Sequence, residues 1–195
     1  MSKARIDTFI LELPLQVDSY TEKKMLARLE AARQVYNGCL GESLKRLDLL
    51  QQSKAYRAAR KLPRGRVRTD AFRVSKAAVG FREYDLHAYS VQFNHSWLGE
   101  HLDIHVIQKL ATRAFKSVEQ YAFGKRGRPR FKSRNQMDSV EGKSNKAGIR
   151  WREDRVKWLG LEMEAIIDQD DLVVAYGLES LVKYVRLVRR KINGV

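Results

Sequence analysis

The chain has 195 residues, with 38 Lys and Arg against 23 Asp and Glu, a formal net charge of +15, and 44% of it is hydrophobic. That combination excludes a disordered basic tail, which lacks the apolar residues to build a core. It describes a folded body with a cationic surface, and the commonest partner of such a surface is a phosphate backbone.

Other classes fall away on the same grounds. No apolar run approaches the ~18 residues that cross a bilayer, and the N-terminus lacks a charged-then-apolar signal pattern. A membrane-surface role is disfavoured because the charge is not confined to one face of a single amphipathic helix. The single cysteine, Cys39, excludes an internal disulfide and any Cys-based zinc cage. The expectation is a cytoplasmic protein, or at least one kept in reducing surroundings.

Residues 5–12 are short and β-branched and are bounded by Pro14, which predicts a strand. Ser19 and Glu22 then have capping-box spacing. The series Met25, Leu29, Ala32, Tyr36, Leu40, Leu44, Leu47 advances by steps of three and four, predicting one long amphipathic helix. Gly38 and Gly41 inside it each cost about 1 kcal/mol relative to Ala, so they mark close packing or a kink.

Residues 54–82 are the most basic stretch: Lys54, Arg57, Arg60, Lys61, Arg64, Arg66, Arg68, Arg73, Lys76 and Arg82 face only Asp70. Pro63 and Gly65 divide it into two helical pieces joined by an Arg-rich loop. Tyr56, Phe72, Phe81 and Tyr84 are interleaved with the charge. Aromatics there are candidates for stacking on bases, with Phe72 and Phe81 better read as core. Asp103 is the expected N-cap of a further helix that buries Ile107, Ala111, Ala114, Val118 and Tyr121. Its opposite stripe, Lys109, Thr112, Arg113, Lys116 and Gln120, carries one sign of charge and reads as a phosphate-facing side.

After Gly124 the helical pattern stops. Residues 125–134 alternate, and if extended they place Arg128, Arg130, Lys132 and Arg134 on one edge. Pro129 makes this an edge strand or an extended arm. Residues 135–148 are loop-like, and 149–158 read as a hairpin turning at Arg152–Arg155. Apolar segments near 163–168, 172–176 and 182–188 complete a β-rich end. The order of strand, helices, strands predicts an α+β fold, a small β-barrel split by an inserted helical domain, with residues 1–18, 19–124 and 125–195 as its parts.

Catalytic patterns are absent. There is no Gly-rich phosphate loop and no His-Glu-x-x-His set. His101 and His105 are spaced for a metal, but no third ligand accompanies them. Asp168, Asp170 and Asp171 share one turn, where carboxylates are solvated turn formers, whereas a two-metal nuclease needs them to converge from separate elements. No cofactor is expected.

Five motifs together resemble a known family. Ala31-Ala32-Arg33-Gln34-Val35-Tyr36-Asn37 is similar to the "A-R-x-V-Y-N" helix of the TnpB transposon-encoded RNA-guided nucleases, relatives of the compact type V CRISPR effectors. In the family's order there follow Ser96-Trp97-Leu98, then Asp103 with Val106-Ile107-Gln108 opening a helix. Next come Gly-Arg-Pro-Arg-Phe-Lys-Ser at 127–133 and Asp154-Arg155-Val156-Lys157-Trp158-Leu159-Gly160. The resemblance implies an N-terminal lobe, in which a wedge-like barrel is split by a helical recognition domain. The lobe grips a guide RNA and reads a short motif on the target duplex DNA, while base pairing reads the rest.

Carried over residue by residue, the resemblance puts Gln108 at a DNA-motif contact and Gly142-Lys143-Ser144-Asn145 on a loop facing the same duplex. Tyr84 would be a further recognition-domain contact. Cleavage in the family belongs to a downstream RuvC-like domain with three acidic residues, followed by a zinc ribbon. Neither is present between Met1 and Val195, so the resemblance does not extend to cleavage. Residues 191–195 are expected in the turn of the last barrel hairpin. The expected partners are therefore guide RNA, target DNA and a RuvC-like catalytic half in cis or in trans. The alternative is a stand-alone transposon-derived nucleic-acid-binding regulator.

Overall fold

The computed structural model describes residues 8–190. Its helical part opens with α1 (Ser19–Gln52), a 34-residue helix of about 50 Å. The cap lies one residue before the expected Ser19: the Asp18 carboxylate accepts from the Thr21 amide at 2.7 Å. This bond holds the Asp18 carboxyl below its ordinary range. Every third or fourth residue from Leu29 to Leu50 is buried, as the periodicity predicts. Ser53 ends α1 and starts α2 (Lys54–Lys61), its hydroxyl donating to the Leu50 carbonyl and accepting from the Tyr56 amide.

The remaining helices are α3 (Arg66–Ala78), α4 (Glu83–Asn94) and α5 (Ile104–Ala122), with a 3-10 turn at Trp97–Glu100. Phe81 is core, as expected, whereas Phe72 is only half-buried and packs on Tyr56. Of the two glycines of α1, only Gly38 marks close packing. A Cβ on Gly38 would stand 2.7 Å from the Phe93 ring of α4, and one on Gly41 would touch Phe131 at 3.7 Å. Val106, Ile107, Ala111, Ala114 and Val118 of α5 are wholly buried against α1 and α4. Truncating Ile107 to Ala would cost about 2–5 kcal/mol.

The strands form two small antiparallel sheets. In the first, β1 (Leu15–Gln16), β5 (Leu161–Ala165), β4 (Arg155–Trp158) and β3 (Arg150–Arg152) lie in that order. In the second, β2 (Ser139–Glu141) pairs with β6 (Arg186–Val188). The β3–β4 hairpin turns at Glu153 and Asp154, both with positive φ. The β4–β5 hairpin turns in the same way at Leu159 and Gly160. Along β5, Leu161, Met163 and Ala165 are buried and the glutamates between them are exposed.

Met137, Val140, Ile149, Val156, Trp158, Met163 and Leu187 join the same apolar core as α1 and α5. The fold is thus α+β, mainly helical, and no closed barrel forms among the described residues. Three expectations for the β part are corrected. Residues 8–14 are not a strand, and 5–7 lie outside the described residues. Phe9 stacks on Tyr176 and Leu11 packs on Gly177, so this segment lies against a helix. Only Leu15–Gln16 pairs, with β5, so the predicted union of the first strand with the late ones holds over two residues. The 172–176 segment is helical, α6 (Leu172–Glu179), because Asp171 caps it through the Val173 and Val174 amides. The predicted end of the chain in a last hairpin turn lies outside the described residues.

Candidate nucleic-acid interface

The arm at 125–136 has no regular secondary structure, and its position is set by side chains of α1. Asn37 accepts from the Lys132 amide and donates to the Lys132 carbonyl, both at 2.9 Å. Arg33 donates to the same carbonyl at 3.0 Å while Glu30 holds its guanidinium through three further bonds. The helix motif around Arg33 and Asn37 therefore fixes the arm's backbone. Arg128, Arg130 and Arg134 are exposed and make no hydrogen bond or ion pair among the described residues. Lys132 is half-buried, its ammonium bonded to the Gln136 carbonyl and over the Tyr36 ring.

The second basic group is the α2–α3 hairpin. Arg64 is exposed on its loop, and α3 begins without a side-chain cap or a first-turn carboxylate. Its leading amides, flanked by Arg64, Arg66 and Arg68, suit an anion. Asp70 is the acidic group here, 3.4 Å from Arg73 and 4.0 Å from Arg66. Both are loose, exposed pairs of the kind that contribute little. Arg68 lies over the Phe72 ring and Lys76 over that of Phe123. Arg82 differs, because it grips Asp85 at 2.6 and 2.8 Å, and these bonds hold the Asp85 carboxyl low.

A third group forms where α4, α5 and the loop after β2 meet. Lys143 donates to the Gln108 side-chain carbonyl at 3.3 Å. Tyr84, 83% exposed, stands edge-on to His87, whose ring is 2.8 Å from the Thr112 hydroxyl one turn beyond Gln108. Burial lowers the His87 pKa; the Glu83 charge opposes this and the Lys143 charge adds to it. Gln108, Lys143 and Tyr84, distant in sequence, thus share one face.

The α5 stripe predicted to face phosphate is in large part engaged by the protein itself. Lys109 pairs with Glu141 of β2 at 2.6 Å, and Arg113 donates to the Ser139 carbonyl and hydroxyl. Thr112 donates to Glu83. Lys116 alone among the cations of the stripe has no such partner among the described residues, and it is exposed. Asn145 is likewise internal: its side-chain carbonyl accepts from the Trp151 amide at 2.6 Å and shapes the loop. No hydrogen bond or ion pair joins the arm, the hairpin and the Gln108 face to one another among the described residues.

Sequence reasoning missed Arg28. It is buried, lies over the Trp158 ring and donates to the Trp158 and Leu159 carbonyls. The Trp158 indole in turn donates to Asp103, whose other carboxylate oxygen caps α5. Desolvation lowers the Arg28 pKa, with Asp103 opposing it. A cation four residues before Ala32 on the buried stripe was the available signal. Cys39 is also buried, and burial pushes its thiol up to about 12, so it is no nucleophile.

Among the described residues no three His, Cys, Asp or Glu side chains gather as a metal site, and no helix is long and apolar enough to cross a membrane. Asp168 and Asp171 accept backbone amides in their own turn. No family model matches the chain, and neither curated proteins nor solved structures give a match.

Proposed function

We propose that this chain is a nucleic-acid-binding lobe of a TnpB-like RNA-guided nuclease. The arm and the α2–α3 hairpin grip the guide RNA through phosphates, and the Gln108 face meets the target duplex. The observation that carries the reading is the arm: three exposed arginines on a backbone pinned by the helix motif that also carries the resemblance. A protein that needs charge only for solubility has no reason to immobilise the peptide that bears it. In this reading the two small sheets correspond to the wedge, and cutting belongs to a RuvC-like half in cis or in trans.

The test is to purify the chain at low ionic strength, extract bound nucleic acid and sequence it. A discrete structured RNA supports a guide-binding lobe, and nucleic acid of every sequence supports the stand-alone regulator instead. Neither RNA nor DNA above background rejects both. With labelled target duplex and magnesium, the chain alone is expected not to cut.

A further inference from the structure

We infer that the groove between α1 and the arm is a pocket for one unpaired nucleotide, its base against Phe131 and its phosphate at Arg128 and Lys45. The pocket rests on the nucleic-acid reading above and specifies what part of the nucleic acid enters. The groove measures about 370 Å³ and runs along one stripe of α1, from Gly41 through Lys45 and Asp48 to Gln52, with Phe131 and Arg128 as its other wall. That volume is at the lower end of the ~300–1,000 Å³ of small-ligand pockets, which suits one nucleotide and not a stack of several.

Its walls are chemically graded. Phe131 is 57% exposed although the peptide that follows it is locked by Asn37 and Arg33. The ring's edge lies 3.7 Å from where a Cβ on Gly41 would stand, an ordinary contact that leaves the rest of the ring toward the groove. A preset, solvent-facing aromatic beside cations is the arrangement on which unpaired bases stack. Leu49, 48% exposed, adds apolar wall.

Lys45 and Arg128 supply the positive end, and Lys45 makes no ion pair with Asp48 among the described residues. Asp48 and Gln52, one turn apart on α1, form the other end. A base-paired strand cannot enter, because its bases are stacked within the helix.

The experiment uses the whole chain and two fluorescein-labelled RNA hairpins of one stem, one blunt and one with a short cytidine overhang. Fluorescence anisotropy at low salt should show the overhang binding more tightly by about ten- to a hundredfold. Phe131→Leu should abolish that gain, read as the ratio of overhang to blunt affinity within each variant, and Phe131→Trp should keep it. An overhang that adds nothing, or a gain that survives Phe131→Leu, overturns the pocket while the proposed function stands. If the blunt hairpin does not bind either, the proposed function fails and the pocket with it.

Discussion

Asn37 and Lys132 lie 95 residues apart and exchange two hydrogen bonds of 2.9 Å, so that one side-chain amide reads a peptide group as a neighbouring strand would. The exchange gives the arm a fixed backbone without a sheet to belong to. Asn37→Ala should free the arm at a cost of roughly 1–3 kcal/mol in stability. Trypsin should then cut after Arg130 or Arg134 several times faster than in the parent. Unchanged cleavage would show that Arg33 and the Phe131–Gly41 contact hold the arm unaided.

The exposed arm cations should act on backbone and not on sequence. Arg128, Arg130 and Arg134 replaced together by Ala should weaken binding to all RNA and DNA sequences alike. On duplex, the slope of log affinity against log salt should fall by up to about 0.9 for each phosphate left without its arginine, and by less on single strands. Weakening confined to one sequence would mean that the arm reads bases.

Gln108 presents its amide with the acceptor side toward Lys143 and its donor side free of hydrogen bonds among the described residues. An amide that gives a donor and an acceptor to adenine discriminates by about 1–3 kcal/mol. Gln108→Ala should leave folding and RNA affinity nearly unchanged and relax preference at one base pair of the DNA motif. Lys143→Ala should loosen the amide and blunt the same preference. A randomised-motif selection that returns identical preferences for parent and Gln108→Ala would remove Gln108 as a reader.

Glu141 ties α5 to both strands of the second sheet, pairing with Lys109 and with Arg186. Burial alone would raise its pKa, but hydrogen bonds and charge from those two cations outweigh burial and leave it below the ordinary value. A carboxyl whose folded pKa is lowered contributes stability that is present above its unfolded pKa and lost as pH falls through the folded one. The melting temperature should therefore fall as pH drops below about 4.5, the ordinary glutamate value. Glu141→Gln should be less stable at pH 7 and should lose part of that acid dependence. Parallel pH profiles for the two proteins would show that the pairs do not couple to stability.

The helices were legible because their signals are local. The period from Leu29 to Leu47 and the cap at Asp103 each depend on residues within one helix. The β part was less legible because β1 is only two residues long and pairs with a strand about 150 positions away. Segment 172–176, apolar throughout, fits a strand or a helix until its cap is known, and Asp171 decided it for helix. For the site, charge pattern located the cations but not their internal partners. Lys109 and Arg113 look like free cations in sequence, and only the approach of β2 to α5 reveals that they hold Glu141 and Ser139. Arg28 was hidden by the same blindness to distance, since its acceptors lie 130 and 131 residues away.

If the cationic surface holds nucleic acid through phosphate contacts, binding must weaken steeply as salt rises. Affinity for a structured RNA and for duplex DNA should be measured by anisotropy between 50 and 200 mM potassium chloride. If about six phosphates are neutralised, affinity for duplex DNA should fall roughly a thousandfold over that interval, and log affinity should be linear in log salt. Binding that is absent at 50 mM, or that stays flat across the titration, would rule out a phosphate-gripping surface.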